Sequence, residues 1–137
     1  MTHRHTIRVN WEDTDAGGIV YHSNYLNFAE RARTEMVRAA GISQVDLLAA
    51  GHAFAVRRAE VDFLKPARLD DLLEVESAVT EVGGASLEVR QTVRRLDDGA
   101  ELVRLNIRLG FISLEGRPAR MPEAIRASFE TAISERV

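Results

Sequence analysis

Cysteine is absent from the 137-residue sequence. That removes disulfides, thiolate metal sites and a cysteine nucleophile. It is compatible with a reducing compartment. No stretch is apolar for long enough to span a bilayer, and "MTHRHTIRVNW" at the start lacks an apolar signal core. A cytoplasmic protein without membrane insertion is therefore expected. There is no low-complexity tract, no linker and no repeat at solenoid spacing, so one domain over 1–137 is expected. No charge of one sign dominates. The net charge of -3 offers no electrostatic footprint for nucleic acid or an anionic membrane. Gly17-Gly18 fits neither the dinucleotide nor the P-loop spacing.

What is present is a clear order of periodicities. Ile7, Val9 and Trp11 alternate with polar residues and predict a strand. Glu12 to Gly18 reads as a loop. From Ser23 to Ala40 the period turns helical: Leu26, Ala29, Arg33, Met36, Val37 and Ala40 recur on one face, with Arg33 as the interruption. Ser23 or Asn24 suits the N-cap, and Gly41 the position past the end. Glu30 with Arg33, and Arg31 with Glu35, are spaced to pair on the exposed side. Ser43 to Gly51 predicts a second, short helix. Phe54 to Leu114 reads as strands, divided near Pro66, at Gly83-Gly84 and at "DDGA". Pro122 opens a closing helix. Strands joined by tight turns imply an antiparallel sheet, and the long helix must bury its apolar face against it. The fold class is α+β in two layers. Arg90, Arg94, Arg104 and Arg108 alternate onto the sheet's outer face, toward solvent or a partner.

The segment "WEDTDAGGIVYHSNYLNFAERAR", with "RRAEVDFLKPARLDDLLEVES" and "GRPARMP", resembles the 4-hydroxybenzoyl-CoA thioesterase-like family of the hotdog fold. Within it, the nearest match is the bacterial acyl-CoA thioesterase group associated with the Tol-Pal system. The resemblance covers nearly the whole chain. It implies an antiparallel sheet wrapped around one long central helix and a cofactor-free acyl-CoA thioester hydrolase. It also implies a homodimer or a dimer-of-dimers tetramer, whose active sites lie where one subunit's helix start and loop meet the other subunit. The catalytic carboxylate falls at Asp15.

Thioester hydrolysis needs a nucleophile or activated water, and donors for an oxyanion. A carboxylate such as Asp15 is ionised at neutral pH without special tuning. It can attack the carbonyl directly or act as general base on water. The first amides of a helix have no intrahelical partner, and the helix dipole favours negative charge there. By position the donor is the His22 backbone N–H, with Gly18, and Gly17 beside it, permitting close approach of the acyl group. The His22 side chain can orient Asp15, hold water or assist thiolate departure. Tyr21 and Asn24 are candidates to line the site. Glu12 and Asp13 are expected to be structural or solvated, and Glu30 to be an ion-pair partner.

His3 and His5 would share a strand face, the minimum for two metal ligands, but a mobile N-terminus accounts for them as well. No metal is expected. Coenzyme A carries phosphates that call for arginine or lysine, and Arg57, Arg58, Lys65, Arg68, Arg117 and Arg120 are candidates. Some aromatic-CoA members carry a basic cluster before the strand that begins here at Ala85-Ser86; this chain has "VGGAS". Acyl carrier protein remains an alternative thioester donor. A non-catalytic acyl-CoA-binding partner of an envelope-linked complex is the alternative from a different class.

Overall fold

The computed structural model describes residues 2–134; of the expected domain, residue 1 and residues 135–137 lie outside the described residues. In chain order it contains β1 (His3–Arg8), a 3-10 turn (Trp11–Asp13), α1 (Asn24–Ala39), α2 (Gln44–Ala49), β2 (His52–Phe63), β3 (Leu72–Val82), β4 (Ser86–Arg95), β5 (Glu101–Ser113) and α3 (Glu123–Ser134). The strands form one antiparallel sheet in the order β1-β3-β4-β5-β2. This is the hotdog arrangement.

Period-two alternation puts Leu73, Val75 and Val79 of β3 inward, with Leu87, Val89 and Val93 of β4 and Val103, Leu105 and Ile107 of β5. Against that face α1 lays Phe28, Ala29, Ala32, Met36 and Val37, all buried. Its main neighbours are β1 and β3. The two alanines let the helix backbone approach the sheet closely. Each fully buried large apolar side chain contributes about 1.5–3 kcal/mol relative to exposure. The closing helix α3 adds Phe129 to the same core.

Several expectations are corrected. Val9 is fully buried, but Trp11 is 77% exposed. The strand stops at Arg8 because Asn10 and Asp13 form a capping box that winds Trp11 into the 3-10 turn. Leu26 is 40% exposed, and the inward positions are Tyr25, Phe28 and Ala32 instead. Arg33 is buried and donates to Gln91 at 2.9 Å, so it makes no ion pair with Glu30. Glu35 pairs with Arg38, one turn on, and not with Arg31. His3 and His5 do share a face of β1, beside Ile7.

The outer face of the sheet is an ion-pair lattice. Arg94 meets Glu76 at 2.8 Å and Glu101 at 3.2 Å, Arg108 meets Glu88 at 3.2 Å, and Arg104 pairs with Glu101. Pairs this exposed contribute little individually. Their effect is to neutralise a surface that looked basic in the sequence.

At the far edge lies β2. One side pairs with β5 and the other has no strand beside it. It is 12 residues long and mostly exposed, with Val56 and Phe63 open to solvent and Leu64 beyond its end. A long edge with no strand beside it among the described residues is a template for another strand.

Candidate active site

The loop that carries Asp15 is a small hairpin. Tyr21 N–H donates to the Asp13 carbonyl at 3.0 Å and Asp15 N–H to the Ile19 carbonyl at 2.9 Å, with a Thr14–Val20 bridge between them. The tip closes through Gly18 N–H donating to the Asp15 carbonyl at 3.1 Å, and Gly18 has φ +77°, a region that glycine enters without strain. Gly17 N–H donates to Asp15 Oδ1 at 2.8 Å, and a Cβ on Gly17 would stand 3.3 Å from that same oxygen. The glycines thus shape the turn that presents the exposed Asp15 carboxylate.

The base of the hairpin is locked by a second carboxylate. Asp13 is only 6% exposed; its Oδ2 accepts from Asn10 N–H at 2.8 Å and its Oδ1 from Asn24 Nδ2 at 2.7 Å. Hydrogen bonds to a charged acceptor contribute about 1.5–3 kcal/mol. Asp13 is therefore structural, and it fastens the loop to the first residue of α1. Asn24 is engaged from both ends, since its Oδ1 accepts from Asn27 Nδ2 at 2.7 Å. Its amide braces the helix start.

The loop's other flank is stitched to residues 66–69. Val20 N–H donates to the Ala67 carbonyl at 2.9 Å, Leu69 N–H to the Gly18 carbonyl at 3.2 Å, and Ile19 bridges Arg68. Beneath this seam, the buried Tyr25 hydroxyl accepts from Ala67 N–H at 2.9 Å. Burial raises the Tyr25 pKa above its ordinary value, and the Ala67 bond opposes only part of that. The group holds its proton longer folded than unfolded. Stability from it is complete below about pH 10 and is lost as pH rises from the unfolded toward the folded pKa. Denaturation midpoints followed from pH 8 to 11 should therefore fall from about pH 10 upward in the wild type. A Tyr25→Phe protein should lack that component, and an identical slope in both would remove Tyr25 as its source.

α1 begins just beyond. Among the described residues neither His22 N–H nor Ser23 N–H has a hydrogen-bond acceptor, and Ser23 makes no side-chain cap. His22 is also one of the residues that line a pocket of ≈ 340 Å³, with Ile19, Val20, Tyr25, Phe63, Leu64, Lys65 and Pro66. The lining is apolar except for His22 and Lys65, which suits an acyl or pantetheine chain. The His22 ring is exposed, with Tyr21 4.6 Å and Phe63 6.3 Å away between ring centres. Tyr21 is 51% exposed and does not belong to the core. A hollow of equal volume lies at the other end of α1, around Thr34, Arg38 and 41–45, away from the loop.

The structure thus brings His22, Lys65 and the free helix amides together. It does not join Asp15 to His22. No hydrogen bond links them among the described residues. Asp15 stands at the hairpin tip, two residues along from the Asp13–Tyr21 rung, or about 7 Å of strand. The sequence reading missed Tyr25, Phe63, Leu64 and Pro66. For Tyr25 the signal was present: it extends the helical spacing of Phe28, Ala32 and Met36 by one turn. Of the phosphate candidates, Lys65 lines the pocket and Arg68 flanks the loop, while Arg58 is paired with Glu60 at 2.7 Å. Arg57 lies over Gly110, where a Cβ would meet its Nε at 2.9 Å. Arg120 Nη1 would be 3.5 Å from a Cβ on Gly84, close to the point where the basic cluster is missing.

The family described as the thioesterase superfamily matches this chain over residues 17–101. The acyl-CoA thioester hydrolase YbgC of Escherichia coli O6:H1 is 41% identical over 131 residues, covering 93% of this chain and 95% of that protein. The acyl-CoA thioesterase YbgC of Haemophilus influenzae is 40% identical over 125 residues, covering 90% of each. Among solved structures, a probable thioesterase from Bartonella henselae superposes with a TM-score of 0.83 at 34% identity, over 89% of this chain and all of that one.

Proposed function

This chain belongs to the thioesterase superfamily, and from that premise we propose how it acts: it is an acyl-CoA thioester hydrolase in which Asp15 supplies the carboxylate and α1 supplies the oxyanion donor. The observation that carries this reading is the His22 N–H, which has no acceptor among the described residues, on a residue that lines an apolar pocket just before α1 and beside the Asp15 loop. A thioester carbonyl oxygen set against that amide gains a donor as negative charge develops, an effect of about 3 kcal/mol for one such group. Asp15 either attacks the carbonyl carbon, forming a mixed anhydride that water then cleaves, or takes a proton from the water that attacks. In both routes the C–S bond breaks, the electron pair leaves on the coenzyme A sulfur, and the products are a free acid and CoA. The His22 ring borders the same pocket, where it can hold the water or meet the departing thiolate. Gly17 and Gly18 allow the acyl group close to the loop, while Tyr21 and Asn24 flank it. No resident cofactor or metal is part of the scheme.

The lack of a hydrogen bond between Asp15 and His22 among the described residues supports an assembled site. In this reading, two chains pair along β2, and the loop of one meets the helix start of the other, in a homodimer or a dimer of dimers. The whole of 1–137 is one domain, and the setting is cytoplasmic. Among the described residues no helix is long and apolar enough to cross a membrane. Lys65 and Arg68 stand nearest the pocket for contact with CoA phosphates. The ion-paired outer face supports a free CoA thioester over an acyl carrier protein, which would need a basic rim.

Thiol release from short aliphatic, long aliphatic and aromatic acyl-CoAs, beside acyl carrier protein thioesters, is the test. Turnover of at least one acyl-CoA class is expected, with carrier-protein thioesters the poorer substrates. Hydrolysis of carrier-protein thioesters alone would replace CoA as the substrate, and hydrolysis of none would leave a binding role.

A further inference from the structure

One polar cluster sits where the rest of the inward face is apolar. Gln91 is fully buried at the middle of β4, between Val89 and Val93. Its Nε2 donates to the Ala29 carbonyl of α1 at 2.9 Å and to Ser77 Oγ on β3 at 2.9 Å. Its Oε1 accepts from Arg33 Nη1 at 2.9 Å. Ser77 is the register partner of Gln91 and is fully buried too. Ala29 and Arg33 are four apart, so one carboxamide grips both residues of a single helical turn.

The arrangement is an expensive way to fill a core. Arg33 is 7% exposed and makes no close ion pair among the described residues; burial lowers its pKa, and the through-space attraction of Glu30 opposes only part of that. Apolar side chains of similar volume in place of buried charged groups are often as stable or more so. What apolar packing does not supply is direction. Phe28, Ala29 and Ala32 hold α1 on the sheet, but burial is non-directional, whereas hydrogen bonds fix distance and angle. α1 starts at Asn24, about one and a half turns before Ala29.

We propose that Gln91 is a positioning residue that sets the axial register of α1, so that the free amide at His22 stands at the correct depth in the pocket. The inference rests on the oxyanion role given to that amide. A shift of about 1 Å in a catalytic group can cost 100-fold in rate. Of the pocket lining, Tyr25 belongs to α1 and moves with it, while Ile19, Val20 and Phe63–Pro66 lie on other segments, so slippage of the helix should show in kcat more than in KM.

Gln91→Met removes all three bonds at nearly constant volume and strands the Arg33 charge. Combining it with Arg33→Met removes the charge as well. In thiol-release assays the single variant should lose at least tenfold in kcat with KM within threefold of wild type. The double variant should regain the thermal midpoint and not the kcat. Recovery of kcat together with stability, or a folded single variant with wild-type kcat, overturns the proposal. Should both methionine variants fail to fold, Gln91→Glu keeps an acceptor for Arg33 and sets an oxygen against the Ala29 carbonyl. A tenfold kcat loss is again expected, and unchanged kcat again overturns it. Asp15→Asn run alongside separates the two ideas. Full turnover in that variant removes the proposed site, whereas a dead Asp15→Asn with an unimpaired Gln91 variant removes the positioning role alone.

Discussion

Asp15→Asn should give a folded protein that releases thiol from acyl-CoA about 10²–10⁴-fold more slowly than wild type, the loss typical of removing a positioned acid–base group. The substitution is nearly isosteric. Among the described residues the Asp15 side chain makes one hydrogen bond, accepted by Oδ1 from Gly17 N–H, and an asparagine Oδ1 accepts it equally. The hairpin's other bonds run through the backbone. Nothing in the fold therefore depends on the charge, and a fall in rate reads the chemistry directly. The measurement is kcat by thiol release, with a thermal melt of each protein as the control for folding. Wild-type rates from a folded Asp15→Asn protein would end the case for a carboxylate mechanism at this loop.

The second large effect is expected at the β2 edge. Val56 and Ala59 are exposed there in a single chain. Lysines at both positions would set like charges against each other in any antiparallel pairing of two β2 strands. Val56→Lys with Ala59→Lys should give a monomer by light scattering and lower turnover more than tenfold, since the proposed site draws on a second copy. Both positions register against inward residues, Leu109 and Ile107, at the exposed margin of that face, so a thermal melt of the variant is the control for the β2–β5 ladder. Two results would count against the idea in different ways. A persisting dimer would place the interface elsewhere, and a fully active monomer would mean that one chain holds the whole site.

Much of this was legible in the sequence because it is encoded locally. Alternation in "SLEVRQTVRRL" and "ELVRLNIRLGFISL" sets which residues of β4 and β5 point inward, and the glycine and "DDGA" turns set their pairing. The helix, its glycine stop and the loop before it were equally plain. What failed was decided by contacts between distant segments. Trp11 continued the alternation of Ile7 and Val9, but the Asn10–Asp13 box, itself tied to Asn24, ended the strand first. Arg33 looked like an exposed partner for Glu30. Its true partner, Gln91, is on another layer and could be recognised only once β4 lay under α1. Tyr25 lost its place in the site for the same reason, because Ala67 follows far along the chain. For Asp15 the resemblance of the surrounding motif carried the reading, with the position before a helix adding the donor at His22, and the second copy proposed to join them is not written in one chain's periodicity.

The strand order also dictates a timetable. β3 pairs with β4, and β4 with β5, each with its immediate successor in the chain across a short turn. β1 must wait for β3, beyond both helices and β2, and β2 must wait for β5, beyond two intervening strands. Closing a longer loop costs more entropy, and topologies rich in distant pairings fold slowly. The three-strand meander is thus the natural early structure, and β2 is sealed to it late. The edge proposed for self-association becomes a straight, ordered strand only when its own chain has nearly finished folding. Half-made chains have their open edges at β3 and β5 instead, and the pairing step along β2 comes after the fold is complete.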